Sequence, residues 1–213
     1  AAEHVKAFEI KLAQGAKPGK GGILPAIKVS AEIAAIRGIP VGVTSRSPNR
    51  HIEIKSPDDL LDMICRIRDA TGRPVGFKTV IADERYPSLL CEAILRRGID
   101  DAPDFITVDG GDGGSGAAPQ VLADHVGLPL NESLPIATDI FMQAGLKDRV
   151  RIIASGKLVT SARVAWALCM GADFVASARG FMFSLGCIQS LQCNKDTCPT
   201  GVATQNRRLQ KGL

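Results

Sequence analysis

Ile152-Ile-Ala-Ser-Gly-Lys157 and Val175-Ala-Ser-Ala-Arg-Gly180 share one local pattern: an apolar run that ends in small residues and then glycine. Between them, Ser161 to Met170 has helical periodicity and is closed by Gly171. The whole is a strand–helix–strand unit, and two such strands in one sheet run parallel with a right-handed crossover. Glycine at each strand end leaves backbone N–H groups uncovered, where a Cβ would block close approach. That chemistry suits a phosphate, which barrel enzymes hold in the loops after strands 7 and 8 beside a helix N-terminus. Arg179 adds a charge-assisted contact. The glycines alone fit two ordinary βα turns equally well; the pairing, with Gly171-Ala-Asp173 opening the second strand, favours phosphate binding.

The same alternation extends upstream. Phe8 to Ala13 reads as a strand, followed by a long Gly/Pro-rich connection from Gly15 to Pro57 with a short helix at Val29 to Arg37. Pro57 to Thr71 predicts a helix, with Ser56 as N-cap, Asp58 and Asp59 in its first turn and Gly72 past its end. Pro74 to Val80 is a strand, then a helix runs from about Tyr86 to Arg97 and stops at Gly98. Asp104 to Val108 is a strand, followed by a glycine-rich loop and a helix at about Ser133 to Ala144. Val150 to Ala154 and Asp173 to Ala176 complete five strands. Such alternation means a parallel α/β sheet, either five units of a (β/α)8 barrel or a small doubly wound sheet. A complete barrel takes about 250 residues, and the connection from Gly15 is long enough to expect a functional or disordered segment.

The bulk numbers narrow the function. With 213 residues the chain fits one domain spanning 1–213. The net charge is +4, basic residues pair only as in Arg96-Arg97 and Arg207-Arg208, and aromatics make up 4%, which excludes a nucleic-acid surface. No apolar run is long enough for a membrane span. Glu3, Lys6 and Glu9 exclude a secretory signal at the start, so a cytoplasmic location is expected. Position 1 is Ala, which suggests a fragment or a processed product.

Cys187, Cys193 and Cys198 form C-x5-C-x4-C with Pro199 following. Without secretion, a dense triplet reads as metal or cluster ligands rather than disulfides. Three thiolates favour an iron–sulfur cluster; zinc with a distant fourth ligand is the alternative, with His51 and His125 remote in sequence. Cys65, Cys91 and Cys169 read as buried helix residues. The loop from Asp109 to Pro119 carries five glycines in eight residues after a clear strand, which suits a flat ring or a phosphate lying on bare backbone.

Three blocks then acquire a common meaning. Glu9-Ile-Lys-Leu-Ala-Gln-Gly-Ala-Lys-Pro-Gly19, Asp112-Gly-Gly-Ser-Gly-Ala-Ala-Pro119 and Gly186-Cys-Ile-Gln-Ser-Leu-Gln-Cys-Asn-Lys-Asp-Thr-Cys-Pro-Thr-Gly-Val-Ala-Thr-Gln205 together resemble the FMN-binding synthase domain of glutamate synthases, in the same order. The resemblance implies a (β/α)8 TIM-type barrel, of which this chain covers roughly strands 4 to 8. It implies that Cys187, Cys193 and Cys198 bind a 3Fe–4S cluster within segment 187–198. It implies that Lys11, Gln14, Lys17 and Arg37 hold 2-oxoglutarate, and that Lys78 lies near the flavin, making Lys11 and Lys78 the catalytic candidates. It assigns Gly113, Gly114, Ser115, Gly116, Gly156, Ser177, Ala178, Arg179 and Gly180 to FMN.

The residue types suit that chemistry. Cations at a strand end would orient the two carboxylates of 2-oxoglutarate. The implied reaction is hydride transfer from reduced FMN to 2-iminoglutarate, giving L-glutamate, with electrons arriving through the cluster. The implied partners are an ammonia-derived substrate, an electron donor (ferredoxin or an NAD(P)H-oxidising subunit) and a separate glutaminase subunit, because no N-terminal Cys nucleophile is present. Ser45 to His51 departs from the family's proline- and histidine-rich block, and Lys20 stands where an acid is usual. Those departures leave open a related enzyme, such as one forming N-methylglutamate, or a non-catalytic electron-transfer subunit. An FMN isomerase would not need the cysteines.

Overall fold

The computed structural model describes residues 3–114 and 116–211. Five strands form one parallel sheet: β1 (Phe8–Lys11), β4 (Val75–Thr79), β5 (Phe105–Asp109), β6 (Arg151–Ser155) and β7 (Phe174–Ala176), adjacent in that order. Two short strands inside the long connection, β2 (Ile23–Leu24) and β3 (Ser45–Arg46), pair antiparallel and flank α1 (Ala31–Arg37). The connection is therefore an ordered excursion with its own hairpin.

The strand order decides between the two architectures. Strands that follow chain order, joined by right-handed crossovers, place every connecting helix on one face. A doubly wound sheet reverses its order at a switch point and takes helices on both faces. Here Val75, Phe77, Ile106, Val108, Ile152 and Ala154 are buried on the helical side, while the alternating residues Glu9, Lys11, Lys78, Asp109 and Ser155 occupy the other face. The chain is an arc of a (β/α)8-type barrel, with the polar face as the barrel interior.

The helices follow local chemistry. α2 (Pro57–Thr71) begins with a capping box between Ser56 and Asp59, places Pro57 in its first turn and ends at Gly72 with φ 63°. Its Leu60, Leu61 and Ile64 are buried against the sheet together with Leu90 and Ile94 of α3 (Arg85–Arg97). α4 (Leu130–Gln143) starts earlier than Ser133, the start that its sequence suggests. The Asp112 carboxylate accepts a hydrogen bond from Leu130 N–H at 3.0 Å, so a residue 18 positions away caps the helix. Starting at Ser133 would have placed Pro135 in the first turn, where proline is harmless; the observed helix holds it in the interior. α5 (Ser161–Cys169) is capped by Thr160, α6 (Ala178–Ser184) follows β7, and α7 (Arg207–Gln210) ends the described chain.

At the N-terminal ends of the strands, acids and cations neutralise one another. Asp104 accepts from Arg68, from Arg149 and from Val75 N–H, and Asp173 pairs with Lys147 and Arg151. Of the three lone cysteines, only Cys91 is buried; Cys65 is half-buried against Asp101, and Cys169 is exposed. Leu168, Cys169 and Met170 at the end of α5 are all exposed, so the apolar pattern there does not translate into burial.

Candidate functional site

Among the cavities at the C-terminal ends of the strands, three are linked by shared lining residues. The first, about 320 Å³, is floored by Lys78, Asp109 and Ser155 on β4, β5 and β6 and walled by Gly156, Lys157 and Arg179. The second, about 210 Å³, is lined by Lys11, Lys17 and Lys20 from the end of β1 and its loop, with Arg50 and His51 opposite. The third, about 100 Å³, holds Cys187, Cys193 and Cys198. Gln14 lines both the first and the second, while Gly114, Arg179 and Met182 line both the first and the third.

The loops around them are interlocked by backbone. Gly15 N–H donates to Asp109 Oδ2 at 2.8 Å, and Ser155 Oγ bonds Asp109 Oδ1 at 2.8 Å, so one carboxylate ties the ends of β1, β5 and β6. A Cβ on Gly15 would stand 1.9 Å from Gly110 O, which is why glycine is required there. Gly116 lies against Leu191 O in the same way, seating the glycine loop on the cysteine segment. Part of that loop's glycine content therefore serves loop-to-loop packing.

Charge is distributed unevenly across the site. Lys11 and Lys78 are cross-strand neighbours on the interior face, in one row with Thr107, Ile153 and Phe174. Among the described residues, Lys11, Lys17, Lys20 and Lys78 form no ion pair. Lys17 is buried, and burial, reinforced by the neighbouring Lys11 and Lys20, holds its ammonium below the usual lysine range. Mutually repelling cations around a cavity suit a multiply charged anion. At an opening that shares Gly114, Lys157 and Arg179 with the first cavity, Asp124 accepts from Gly113 N–H at 2.7 Å and from Lys157 Nζ at 3.0 Å; these contacts hold its carboxyl below the usual range. Lys157 itself has φ 44°, a left-handed conformation uncommon for a side-chain-bearing residue. Arg179 donates to Gly114 O.

Burial raises the Cys198 thiol pKa, but the Thr200 hydroxyl and the N–H groups of Ala203, Thr200 and Val202 outweigh it, and the net shift is downward. A buried sulfur ringed by donors is an environment for a thiolate. Among the described residues, no three His, Cys, Asp or Glu side chains are grouped to hold a single metal ion.

Of the residues proposed from sequence, the structure brings Lys11, Gln14 and Lys17 to the second cavity and Lys78, Gly114, Gly156, Ala178 and Arg179 to the first. Gly113 sits beside Lys157 and Arg179 at a neighbouring opening. Arg37 is exposed in the last turn of α1 and lines none of these cavities. Ser177 donates to Leu158 O, and Gly116, Ser177 and Gly180 do not line the first cavity. Ser115 lies outside the described residues. Sequence reasoning passed over Asp109, Asp124, Lys157 and Lys28. Lys157 carried a signal, standing directly after Ser-Gly at a strand end; Lys28 carried none.

Comparison with known proteins decides the family. Residues 2–213 match the family described as "Conserved region in glutamate synthase". The chain belongs to the glutamate synthase family. It is 47% identical to the glutamate synthase large subunit-like protein YerD of Bacillus subtilis (strain 168), over 99% of this chain and 40% of that protein. It is 40% identical to the archaeal glutamate synthase [NADPH] of Methanocaldococcus jannaschii, over 97% of this chain and 40% of that one. Against the glutamate synthase [NADPH] large chain of Bacillus subtilis, identity is 37% over 96% of this chain and 13% of the relative. The chain thus spans two fifths or less of the length of these curated glutamate synthase relatives. Among solved structures, a flavocytochrome b2 mutant with pyruvate bound superposes with a TM-score of 0.46 at 18% identity, covering 90% of this chain and 40% of that one. Among the described residues, no helix of this glutamate synthase family member is long and apolar enough to cross a membrane.

Proposed function

We propose that this chain is the FMN- and cluster-binding part of a glutamate-synthase-type oxidoreductase, in which the first cavity takes FMN, the second 2-oxoglutarate and the third a 3Fe–4S cluster. The observation that carries this reading is the adjacency of the three cavities: Gln14 is shared by the first two, and Gly114 with Arg179 by the first and third. When bound, FMN would supply the hydride that converts 2-iminoglutarate to L-glutamate, and the cluster one-electron delivery to the flavin. Lys157, Arg179 and the bare backbone at Gly114 and Gly156 fit a phosphate-bearing cofactor. Lys78 would contribute a positive charge beside the ring. Lys11 and Lys17 would grip the substrate carboxylates, with Gln14 positioned between substrate and cofactor. The donors around Cys198, and the three cysteines that line the third cavity, fit a cluster that takes one thiolate per iron. A ferredoxin or NAD(P)H-oxidising subunit as electron donor, and a separate glutaminase as nitrogen source, complete the proposal.

The test is the absorbance spectrum with flavin, iron and sulfide analysis of the anaerobically purified complete protein, followed by reoxidation of the reduced flavin by 2-oxoglutarate with ammonium or methylamine. The expected result is bound FMN, an iron–sulfur chromophore and reoxidation that needs 2-oxoglutarate with ammonium. Preference for methylamine would redirect the substrate to N-methylglutamate. Bound cofactors without any turnover would make this an electron-transfer subunit.

A further inference from the structure

Lys28 reaches from the turn after β2 to the cysteine segment. Its Nζ donates to Cys193 O at 2.5 Å and to Ala203 O at 2.7 Å, contacts across 165 and 175 positions of sequence. Nine residues lie between Cys193 and Ala203, and one ammonium bridges their carbonyls, so the loop from Cys193 past Cys198 is pinned at its two ends. A second clamp overlaps it: Thr204 Oγ1 donates to Asp196 O at 2.7 Å, and Gln205 N–H to Asp196 Oδ1 at 2.7 Å. Among the described residues, no carboxylate pairs with Lys28, so its charge is met by carbonyl dipoles alone. The connection that carries Lys28 is the one that, 8 to 14 positions earlier, carries Gln14, Lys17 and Lys20 into the second cavity.

We propose that Lys28 is a positioning residue for the cysteine loop. It closes the turn that presents Cys193 and Cys198, fastens that turn to the segment forming the cationic cavity, and places one ammonium, met by the two carbonyls, on the cysteine segment. This rests on the cluster reading for its electronic consequence and on geometry alone for its mechanical one. Groups that hold metal ligands in place, without touching the metal, are worth about 10–100-fold in metal retention. A charge-assisted hydrogen bond to backbone is stronger than a neutral one, so removing two of them opens the loop.

The experiment compares the wild-type full chain with Lys28→Met, which keeps the apolar stem, and Lys28→Arg, which keeps the charge. Amide hydrogen exchange of the iron-free protein is read over residues 192–205, and iron release to a chelator and the cluster's reduction potential are read on anaerobically prepared protein. Lys28→Met is expected to speed exchange in that segment and iron release by about tenfold, and to shift the potential to more negative values, with FMN content unchanged. Lys28→Arg is expected to recover the potential at least in part. Wild-type exchange rates over 192–205 in Lys28→Met would overturn the proposal. Wild-type protein without iron would instead remove the cluster reading, while the exchange data would still decide the role of Lys28.

Discussion

The two ends of the strands handle charge in opposite ways. At the N-terminal ends, Asp104 is matched by Arg68 and Arg149, and Asp173 by Lys147 and Arg151. At the C-terminal ends, Lys11, Lys17, Lys20 and Lys78 face cavities without a carboxylate partner among the described residues. Paired charges at one end stabilise the fold; unpaired cations at the other cost stability and are retained where an anion is to be bound. Barrel enzymes generally divide in this manner, stability at one rim and chemistry at the other.

Mutations can break this contrast. The largest effect is expected on the helical side of the sheet: Phe77→Ala empties a fully buried site and should cost about 4 kcal/mol in urea unfolding. Asp104→Ala strands two half-buried guanidinium groups and the Val75 N–H, and should cost about 2 kcal/mol. Lys17→Met should go the other way, leaving stability unchanged or raised while 2-oxoglutarate affinity, read by titration, falls about tenfold. A clear loss of stability in Lys17→Met would show that the rim cations are structural after all. The smallest effect is expected at Arg96→Ala, whose exposed bridge to Asp58 should contribute less than about 0.5 kcal/mol.

Proton linkage sharpens the same contrast. Burial would raise the Asp173 carboxyl pKa, but Lys147, the Ile152 N–H and Arg151 outweigh it, and the folded pKa is lowered. Its contribution is present above the unfolded carboxyl pKa of about 3.9 and is lost as pH falls through the folded value. Lys17 behaves inversely: its folded pKa is lowered, so the unfolded chain holds more protons between the folded pKa and about 10.4, and stability rises with pH there. Unfolding followed across pH in wild type, Asp173→Asn and Lys17→Met should show a smaller acid-side loss with the first substitution and a smaller alkaline gain with the second.

Much of the fold was legible because it is local. The capping box at Ser56, the closing glycines at positions 72 and 98, and the alternation of apolar runs placed five strands and the principal helices within a few residues. The start of α4 was not legible, because its cap, Asp112, lies across a loop. In the candidate site, Lys11, Lys17 and Lys78 came from the family resemblance, with Lys11 also interrupting an apolar strand, and the cysteines came from their spacing. Arg37 fitted a motif, yet α1 turns it to solvent. Lys28 looked like any lysine in a turn, and its two carbonyl partners lie far off in sequence.

By itself the amino-acid order determined the parallel α/β class, the succession of elements and the clustering of three thiols, since propensity, period and spacing act over a few residues. The tertiary structure alone decided that the strands lie in chain order with all connecting helices on one face. It also decided that four lysines share a rim and that one ammonium pins the cysteine loop. Those outcomes depend on contacts between distant segments, which exist only once the sheet has brought its strand ends together.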